Sequence, residues 1–274
     1  MPSPSITLNN GVEIPQLGFG TWQVSAAEVE GVVSQALEAG YRHVDTAQMY
    51  GNEAGVGAAV RASGLPREEV FVTSKLSNSA HGDAMAAFDR TMDALGLEQL
   101  DLFLVHWPLP TLVDYVQTWR AMEEIAATGR VRAIGVSNFQ PEHIARLLAE
   151  TDTVPAVNQI EVHPYFVQDA VRADNLAHGI HVEAWSPLAQ GTIFADPVVA
   201  AIAAELGRSR SQVVLRWHVQ RGDVVMPKSV TPSRMAENAA LFDFELSPEQ
   251  MGRITALDRG TRIGPDPDSF AWLP

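Results

Sequence analysis

The chain has 274 residues, 46% of them hydrophobic, and a formal net charge of −14. A chain of this length and composition can bury one large core or two small ones, and its negative charge argues against nucleic acid or an anionic membrane as the main partner. Because the sequence contains no cysteine, it excludes a disulfide, a thiolate nucleophile and a cysteine-ligated metal.

The N-terminal segment lacks the features of a targeting sequence. Residues 1–10 contain no basic region followed by an apolar segment. No apolar run in the chain reaches the roughly 18 residues that a membrane-spanning helix requires. We therefore expect a cytoplasmic protein, without a membrane partner, that acts as a monomer on a small molecule.

Short apolar runs rich in β-branched residues recur along the whole chain, and they predict eight strands. Most of these runs are continuously apolar, as is typical of strands buried on both faces of a parallel sheet. The predicted strands are residues 16–20, 43–45, 70–74, 100–106, 131–137, 156–162, 180–185 and 224–228.

Helix signals lie between the predicted strands. Capping patterns at residues 25–28, 111–114, 209–212 and 247–250 predict helix starts. The first three of these helices should end near Gly40, Gly129 and Gly222, since glycine favours the turn that follows a helix. Before the first strand, Asn10 and Gly11 separate two alternating runs, which predicts a β-hairpin.

Eight strand–helix units in a chain of this length predict a (β/α)8 TIM barrel whose bottom is closed by the N-terminal hairpin. The main alternative is an open doubly wound sheet that binds a dinucleotide after its first strand. Gly18 and Gly20 supply two glycines of that motif and the third is missing. We therefore favour a single barrel domain over residues 1–274.

Only two lysines occur among the 19 lysines and arginines, and each lies at the end of a predicted strand. Lys75 follows residues 70–74 and Lys228 ends residues 224–228. A buried lysine is costly without a partner or a ligand, and a compact ammonium has uses that a forked guanidinium does not. The pattern predicts a functional role for both, and two ordinary surface lysines are the alternative.

Polar side chains end the second, third and fourth predicted strands, at Asp45, Lys75 and His106, and Tyr50 follows shortly after Asp45. In a barrel these strand ends meet at one rim, where the chemistry takes place. A lysine beside a phenol lowers the pKa of the phenol, and a carboxylate keeps that lysine charged. The group therefore predicts a general acid with its supporting residues.

Each of these residues also has an ordinary structural interpretation. Asp45 could cap the next helix, His106 could be a half-buried histidine with satisfied hydrogen bonds, and Tyr50 could be a loop aromatic. The presence of all of them near adjacent strand ends favours the catalytic interpretation. No metal site is predicted, because the eight histidines show no paired ligand spacing.

A second group of polar residues follows the last predicted strand. Thr231 and the proline after it predict a helix start, and Lys228, Ser229 and Arg234 surround it. A helix N-terminus attracts anions, and barrels often bind phosphate at this position. A capped helix with a solvated arginine is the alternative.

At these residues the sequence resembles the aldo-keto reductase superfamily, along essentially the whole chain. Within the superfamily it is most similar to bacterial 2,5-diketo-D-gluconate reductases, a branch that Trp185 fits. The motifs that carry the resemblance are residues 17–21, 40–47, 49–53, 104–108, 135–139, 158–164, 227–229 and 262–265.

The resemblance implies a catalytic tetrad of Asp45, Tyr50, Lys75 and His106. It implies NADPH lying across the barrel mouth, with Trp185 stacked on the nicotinamide and the 2′-phosphate near the helix start after the last strand. The implied cofactor contacts are Thr21, Trp22, Asp45, Ser137, Asn138, Gln159, Trp185, Ser186, Leu188, Gly191, Lys228, Ser229, Val230, Thr231, Arg234, Glu237 and Asn238. The implied substrate contacts are Trp22, Tyr50, His106 and Trp107, with a tail around Phe270 and Trp272 closing the pocket.

The implied reaction is the reduction of a carbonyl group, in small aldehydes, diketones or keto sugar acids such as 2,5-diketo-D-gluconate, to an alcohol. One position departs from the resemblance: Ser77 stands where relatives usually carry tryptophan, so the substrate is not implied by it. Two other functions stay open at this stage. They are a Schiff-base aldolase that uses Lys75 and a sensor that holds NADPH with little turnover.

Overall fold

The computed structural model describes residues 3–274, which contain ten β-strands. The first two form an antiparallel hairpin and the other eight form one parallel sheet. The strands are β1 Ser5–Thr7, β2 Glu13–Pro15, β3 Phe19–Gly20, β4 His43–Asp45, β5 Phe71–Leu76, β6 Leu100–Val105, β7 Val131–Ser137, β8 Val157–Glu161, β9 His181–Trp185 and β10 Val224–Val225.

The parallel sheet closes on itself between β3 and β10. The amide of Gly18 donates to the carbonyl oxygen of Val225 over 2.9 Å, and the amide of Val225 donates to Gln16 over 2.9 Å. A third bond of 3.2 Å joins the amide of Gly20 to Pro227. These three hydrogen bonds are called the seam below, and they close an eight-stranded ring in chain order. The ring confirms the predicted (β/α)8 barrel.

Two predicted strands, 43–45 and 131–137, have the observed bounds, and the others shift by a few residues. The predicted strand 70–74 is in fact Phe71–Leu76, so Lys75 lies inside the strand. The predicted strand 224–228 was too long, because β10 ends at Val225 and Pro227 has no amide hydrogen for the ladder. Lys228 therefore lies beyond the sheet, where it is exposed.

The predicted hairpin is confirmed, with Ile6 of β1 opposite Ile14 of β2. Leu8 and Ile14 are buried against the barrel interior. The side chain of Asn10 donates to the backbone oxygen of Arg132, just inside the start of β7, over 3.0 Å. The hairpin thus covers the end of the barrel at which the strands begin, opposite to the strand ends that carry the candidate residues.

Ten α-helices occur among the described residues, mostly between successive strands. They are α1 Val29–Glu38, α2 Glu53–Ala62, α3 Ala84–Leu95, α4 Tyr115–Ala127, α5 Pro141–Glu150, α6 Asp169–Ala177, α7 Pro197–Leu206, α8 Arg210–Gln220, α9 Pro232–Ala239 and α10 Pro248–Thr255. No single helix in residues 3–274 has the length and apolarity to cross a membrane. Two consecutive helical segments, residues 189–195 and 197–206, are together long and apolar enough to do so, but they are bent by 74° relative to each other.

Two of the four predicted helix starts have the expected caps. Ser209 and Ser247 are the N-caps of α8 and α10, and each accepts a hydrogen bond from a backbone amide. The other two helices begin directly after the predicted patterns. The N-cap of α4 is Asp114, the last residue of its pattern. The hydroxyl of Ser25 bonds the side chain of Glu28 instead of a backbone amide, and α1 begins at Val29.

The barrel interior changes character along its length. Near the hairpin it is apolar, with Leu102, Leu104, Val157, Val224 and Met226 in one buried cluster. Successive residues of a strand point to opposite faces, so every second residue lines the interior. At the opposite end, where the strands end, the side chains that point inward are polar, and the candidate site lies there.

Candidate active site

Lys75 is the centre of a buried ion pair at the barrel mouth. Its Nζ lies 2.6 and 2.7 Å from the two carboxylate oxygens of Asp45 and 3.0 Å from the backbone oxygen of Thr46. The Lys75 side chain is fully buried. Asp45 ends β4 and Lys75 lies in the adjacent β5, so the parallel register brings the two side chains together.

Tyr50 completes this arrangement. It lies on a short 3-10 helix, Gln48–Tyr50, and its hydroxyl is 3.4 Å from Lys75 Nζ. Gln48 holds the helix in place: its side-chain amide donates to the backbone oxygen of Ala87 over 2.7 Å, and its oxygen accepts from the amide of Ser77 over 2.8 Å. The proposed acid is therefore fixed from both sides.

His106 lies next to Tyr50, with their ring centroids 5.7 Å apart. Its Nδ1 is buried without a hydrogen-bond partner among the described residues. Because an orphaned buried N–H is less tolerable than an orphaned acceptor, the proton belongs on Nε2. Burial, with a smaller effect of Lys75, holds the pKa of His106 well below its ordinary value. His106 is thus a neutral ring with one N–H to donate.

Gln159 connects the ion pair to a residue that our sequence analysis missed. Its side-chain nitrogen donates to Asp45 Oδ1 over 2.9 Å and also to the carboxyl group of Glu183. Glu183 lies on β9, is fully buried, and has one oxygen without a partner in the described part of the chain. The signal was present in the sequence, since Glu183 is two residues before Trp185 and shares its side of the strand.

The charges of this group follow from burial and from its neighbours. Burial alone would lower the pKa of Lys75, but Asp45, Tyr50 and Glu183 raise it above its ordinary value. Burial raises the pKa of Glu183 to about 8, and Asp45 adds to this while Gln159 and Lys75 oppose it. Lys75 is therefore an ammonium at neutral pH, and most Glu183 carboxyl groups keep their proton.

The expectation of a lowered pKa for Tyr50 was wrong in its net direction. Burial raises the pKa of Tyr50 above its ordinary value, and the opposing effect of Lys75 does not cancel it. Lys75 lowers the pKa of Tyr50, as predicted, but burial raises it by more. The phenol is accordingly protonated throughout the neutral range.

Ser137 and Asn138 follow one another at the end of β7. Ser137 donates to the backbone oxygen of Gln159 over 2.8 Å, and the Asn138 amide donates to the backbone oxygen of His106 over 3.0 Å. Asn138 Oδ1 accepts from the indole of Trp185 over 2.9 Å. Asn138 also donates to the Ser137 hydroxyl, so the side chains of Ser137, Asn138 and Trp185 form one hydrogen-bonded chain.

The backbone is strained at the same place. Asn138 has φ of 64° and Ser186, directly after β9, has φ of 50°, although both carry side chains that disfavour this region. Ala189 and Gln190 repeat this conformation before Gly191. Such strain concentrates at functional sites, and here it shapes the loop that contains the predicted contact Leu188.

Other predicted residues support the mouth from behind. The hydroxyl of Thr21 donates to the backbone oxygen of Asp45 over 2.9 Å, so this buried residue holds the end of β4. Trp22, the next residue, is 47% exposed and faces the solvent at the rim.

The predicted anion site lies beyond β10. Lys228 and Arg234 are exposed, and neither forms a salt bridge with the described residues. Ser229 accepts a hydrogen bond from the amide of Thr231 over 3.1 Å, and Thr231 is the N-cap of α9. Two uncommitted cations thus flank a helix N-terminus.

The remaining predicted contacts lie on and before α9. Asn238 is buried, and its Oδ1 has no partner among residues 3–274. Glu237 accepts a hydrogen bond from Ser211, at the start of α8, over 2.7 Å. Val230 is 53% exposed.

The C-terminal tail lies against the mouth. The ring of Phe270 is 4.4 Å from that of Trp107, and the Asn78 amide donates to the backbone oxygen of Trp272 over 3.0 Å. Further back, the amide of Gly264 donates to Glu161 over 2.8 Å. The tail therefore packs against Trp107, the residue after His106, and against the loop after β5. Within residues 3–274, no group of three or more His, Asp or Glu side chains is placed to hold a metal.

Comparison with known proteins gives matches over nearly the whole chain. The sequence model of the Aldo/keto reductase family matches residues 16–259. An aldo-keto reductase of Mycolicibacterium smegmatis (strain ATCC 700084 / mc(2)155) is 51% identical over 270 residues, which cover 98% of each chain. The methylglyoxal reductase DkgA of Escherichia coli (strain K12) is 46% identical over 273 residues, covering 98% of this chain and 99% of that one. A crystal structure of a Gox0644 mutant in complex with NADPH matches with a TM-score of 0.95 at 41% identity, covering 98% of this chain and 99% of that chain.

Proposed function

Because the chain belongs to the aldo/keto reductase family, we propose that it reduces the carbonyl groups of small aldehydes and ketones with NADPH, and that Tyr50 is the proton donor. The observation that carries the proposal is the buried Lys75 ammonium, which joins the Asp45 carboxylate to the Tyr50 hydroxyl. Burying a charge this completely costs free energy, and a buried ion pair rarely stabilises the fold enough to explain it. Its position beside the Tyr50 hydroxyl supports a catalytic role instead.

The residues at the mouth fit NADPH. Lys228 and Arg234 offer charge-assisted hydrogen bonds to a phosphate beside a helix N-terminus. Asn238 offers a buried acceptor that lacks a protein partner in the described part of the chain. Trp185 presents a partly exposed indole next to Asn138. When bound, NADPH would supply the hydride that adds to the carbonyl carbon.

The chain's own residues supply the proton and stabilise the developing charge. As the carbonyl oxygen becomes negative, the Tyr50 hydroxyl donates its proton to it and forms the alcohol O–H. The phenolate left on Tyr50 is stabilised by the Lys75 ammonium 3.4 Å away. Nε2–H of His106 donates to the same oxygen, as a preorganised donor in a water-poor site. Asp45 keeps Lys75 charged and in place.

For the substrate we propose small aldehydes and neighbouring dicarbonyls, with keto sugar acids such as 2,5-diketo-D-gluconate as a further class. A methylglyoxal reductase at 46% identity supports the first class. Ser77, which offers no large side chain at the rim, leaves room for a bulkier substituent. A steady-state screen with NADPH against methylglyoxal, a diketone and a keto sugar acid tests this. Failure to oxidise NADPH with any of them would favour the sensor alternative.

The Schiff-base alternative finds no support in the geometry of Lys75. An imine-forming lysine must present a neutral amine to the substrate. Lys75 is fully buried among three oxygens of Asp45 and Thr46 and the Tyr50 hydroxyl, and these surroundings keep its pKa raised.

We expect Arg234→Ala to raise the Kd of NADPH by about ten- to a hundredfold, since one charge-assisted hydrogen bond to the 2′-phosphate is lost. NADH lacks that phosphate, so its Kd should stay almost unchanged. Fluorescence titration of both cofactors measures this. Arg253→Ala is the matched control, because Arg253 on α10 pairs with Glu205 on α7 and not with the residues of the predicted anion site. Equal weakening of both cofactors by Arg234→Ala would contradict the phosphate assignment.

The raised pKa of Tyr50 predicts the pH dependence of the reverse reaction. Alcohol oxidation by NADP⁺ requires the phenolate as base, and below its pKa the phenolate fraction rises about tenfold per pH unit. We therefore expect kcat/KM for oxidation to rise from about pH 6 to about pH 9 without a plateau, since the ordinary tyrosine pKa is already about 10. A plateau near neutral pH would show that the Lys75 charge outweighs burial.

A further inference from the structure

The strongest unexplained group outside the tetrad is Glu183. It is a carboxyl group with no solvent exposure, on the interior side of β9, and one of its oxygens has no partner in residues 3–274. Its neighbour on β10 is the apolar Val224. Buried acids of this kind are expensive and are retained where they serve a site.

Within residues 3–274, the hydrogen bond of the Glu183 side chain is to Gln159. The two residues lie side by side in register on β8 and β9, and Gln159 Nε2 donates to the Glu183 carboxyl group. The same nitrogen donates to Asp45 Oδ1 over 2.9 Å. A side-chain amide has two N–H donors, so both are used, one on each carboxyl group.

This bonding leaves one orientation for the amide. Both neighbours offer acceptor oxygens, so the nitrogen of Gln159 must face them and its oxygen must face the opposite way. Gln159 Oε1 accepts no hydrogen bond from the described residues, and it is not sealed from the solvent at the mouth. A free acceptor is therefore presented on the strand that pairs with Ser137, the residue before Asn138.

We infer that Glu183 is a positioning residue, which fixes the side-chain amide of Gln159 so that Oε1 accepts a hydrogen bond from the carboxamide group of the bound nicotinamide. The inference rests on the proposed function, since it needs NADPH at the mouth. With Asp45 as its only acceptor, the amide would turn at the cost of one hydrogen bond. With Glu183 as the second acceptor, both hydrogen bonds must break before the amide can turn.

The charge state of Glu183 does not decide this role. Its carboxyl group shares the barrel interior with Asp45 on β4 and Lys75 on β5, and the Tyr50 hydroxyl is the other titratable group that it affects. The oxygen that accepts from Gln159 can do so whether the carboxyl group is protonated or ionised. A neutral glutamine at position 183 should therefore serve as well, and an apolar side chain should not.

The experiment compares Glu183→Gln with Glu183→Met, two side chains of similar length. Titrations measure the Kd of NADPH and of adenosine 2′,5′-bisphosphate, which has the phosphate end of the cofactor and no nicotinamide. We expect Glu183→Met to weaken NADPH about five- to tenfold, the value of one hydrogen bond, and to leave the bisphosphate unchanged. Glu183→Gln should bind both as the wild type does.

The comparison of the two ligands separates this role from a merely structural one. Methionine leaves one buried N–H of Gln159 without its acceptor, so Tm should fall somewhat. A general loss of structure would weaken NADPH and the bisphosphate alike, whereas a loss of amide orientation weakens NADPH alone. Equal weakening of both ligands, or wild-type NADPH affinity in Glu183→Met, would overturn the inference.

One measurement on the wild type does not depend on how the variants fold. The side-chain N–H2 protons of Gln159, assigned by their loss in Gln159→Glu, should both exchange slowly with the solvent, because each is hydrogen-bonded to a buried carboxyl group. Fast exchange of these protons would contradict a fixed orientation. If the wild type neither binds NADPH nor reduces carbonyls, the proposed function fails. If it does both and these protons exchange fast, only the role of Glu183 fails.

Discussion

Replacing Tyr50 with phenylalanine should lower kcat for carbonyl reduction by at least about 10²- to 10⁴-fold, the usual contribution of general acid catalysis. The ring and its contact with His106 remain, so the pocket keeps its shape and only the proton is lost. The Kd of NADPH should change little. Steady-state kinetics on methylglyoxal with a parallel cofactor titration measures both quantities.

Tyr41→Phe is the matched control for this substitution. Tyr41 is also buried, and its hydroxyl donates to the backbone oxygen of Met235 on α9 and to none of the tetrad residues. Its loss should cost a little stability and leave kcat unchanged. Retention of most of kcat in Tyr50→Phe would remove Tyr50 from the acid role.

Lys75→Arg should nearly abolish reduction, with kcat lower by at least about a hundredfold, although the charge is kept. The ammonium fits among Asp45, Thr46 and Tyr50 at distances of 2.6 to 3.4 Å, in a place with no exposed surface. A planar guanidinium is larger and directs its N–H groups differently, so it cannot reproduce the contact with the Tyr50 hydroxyl.

Arg132→Lys is the control for Lys75→Arg, because it also replaces one cation with the other. Arg132 pairs with Asp101 at the hairpin end of the barrel, so this change of cation should not affect kcat. Binding of adenosine 2′,5′-bisphosphate by Lys75→Arg shows that the variant is folded. A folded Lys75→Arg enzyme with near wild-type kcat would make Lys75 an interchangeable cation.

The sequence was sufficient for the barrel and for the ion pair, for identifiable reasons. Continuous apolar runs separated by helix caps recur along the whole chain, and only a parallel sheet buries so many of them on both faces. Asp45 and Lys75 are polar residues at the ends of two such runs, on neighbouring strands. Adjacent ends of parallel strands must meet, so their contact follows from the fold itself.

Other features depend on how deeply a side chain is buried, and the order of residues along the chain does not give that. The net pKa direction at Tyr50 is set by burial against the charge of Lys75, and only the folded structure gives the amount of burial. Lys228 was expected at the end of a buried strand and is exposed, because the ladder stops two residues before Pro227. Glu183 was not identified, although its place two residues before Trp185 put it on the same side of the strand, because the sequence does not reveal that Gln159 is its partner. The single-domain organisation, the cytoplasmic location and the monomeric state stay predictions.

The strands on the two sides of the seam are joined less extensively than some other neighbouring strands of the barrel. β3 and β10 are each two residues long and are joined by three hydrogen bonds, whereas β5 and β6 pair over four residues in register. Local opening costs least where the fewest contacts must break, and β3 and β10 also pair with their other neighbours over only two residues each. We therefore expect this side of the ring to open first. The loop containing Lys228 and Ser229 follows β10 directly. A ligand bound to this loop should therefore also stabilise the closed ring, since binding to the closed state alone shifts the equilibrium away from opening.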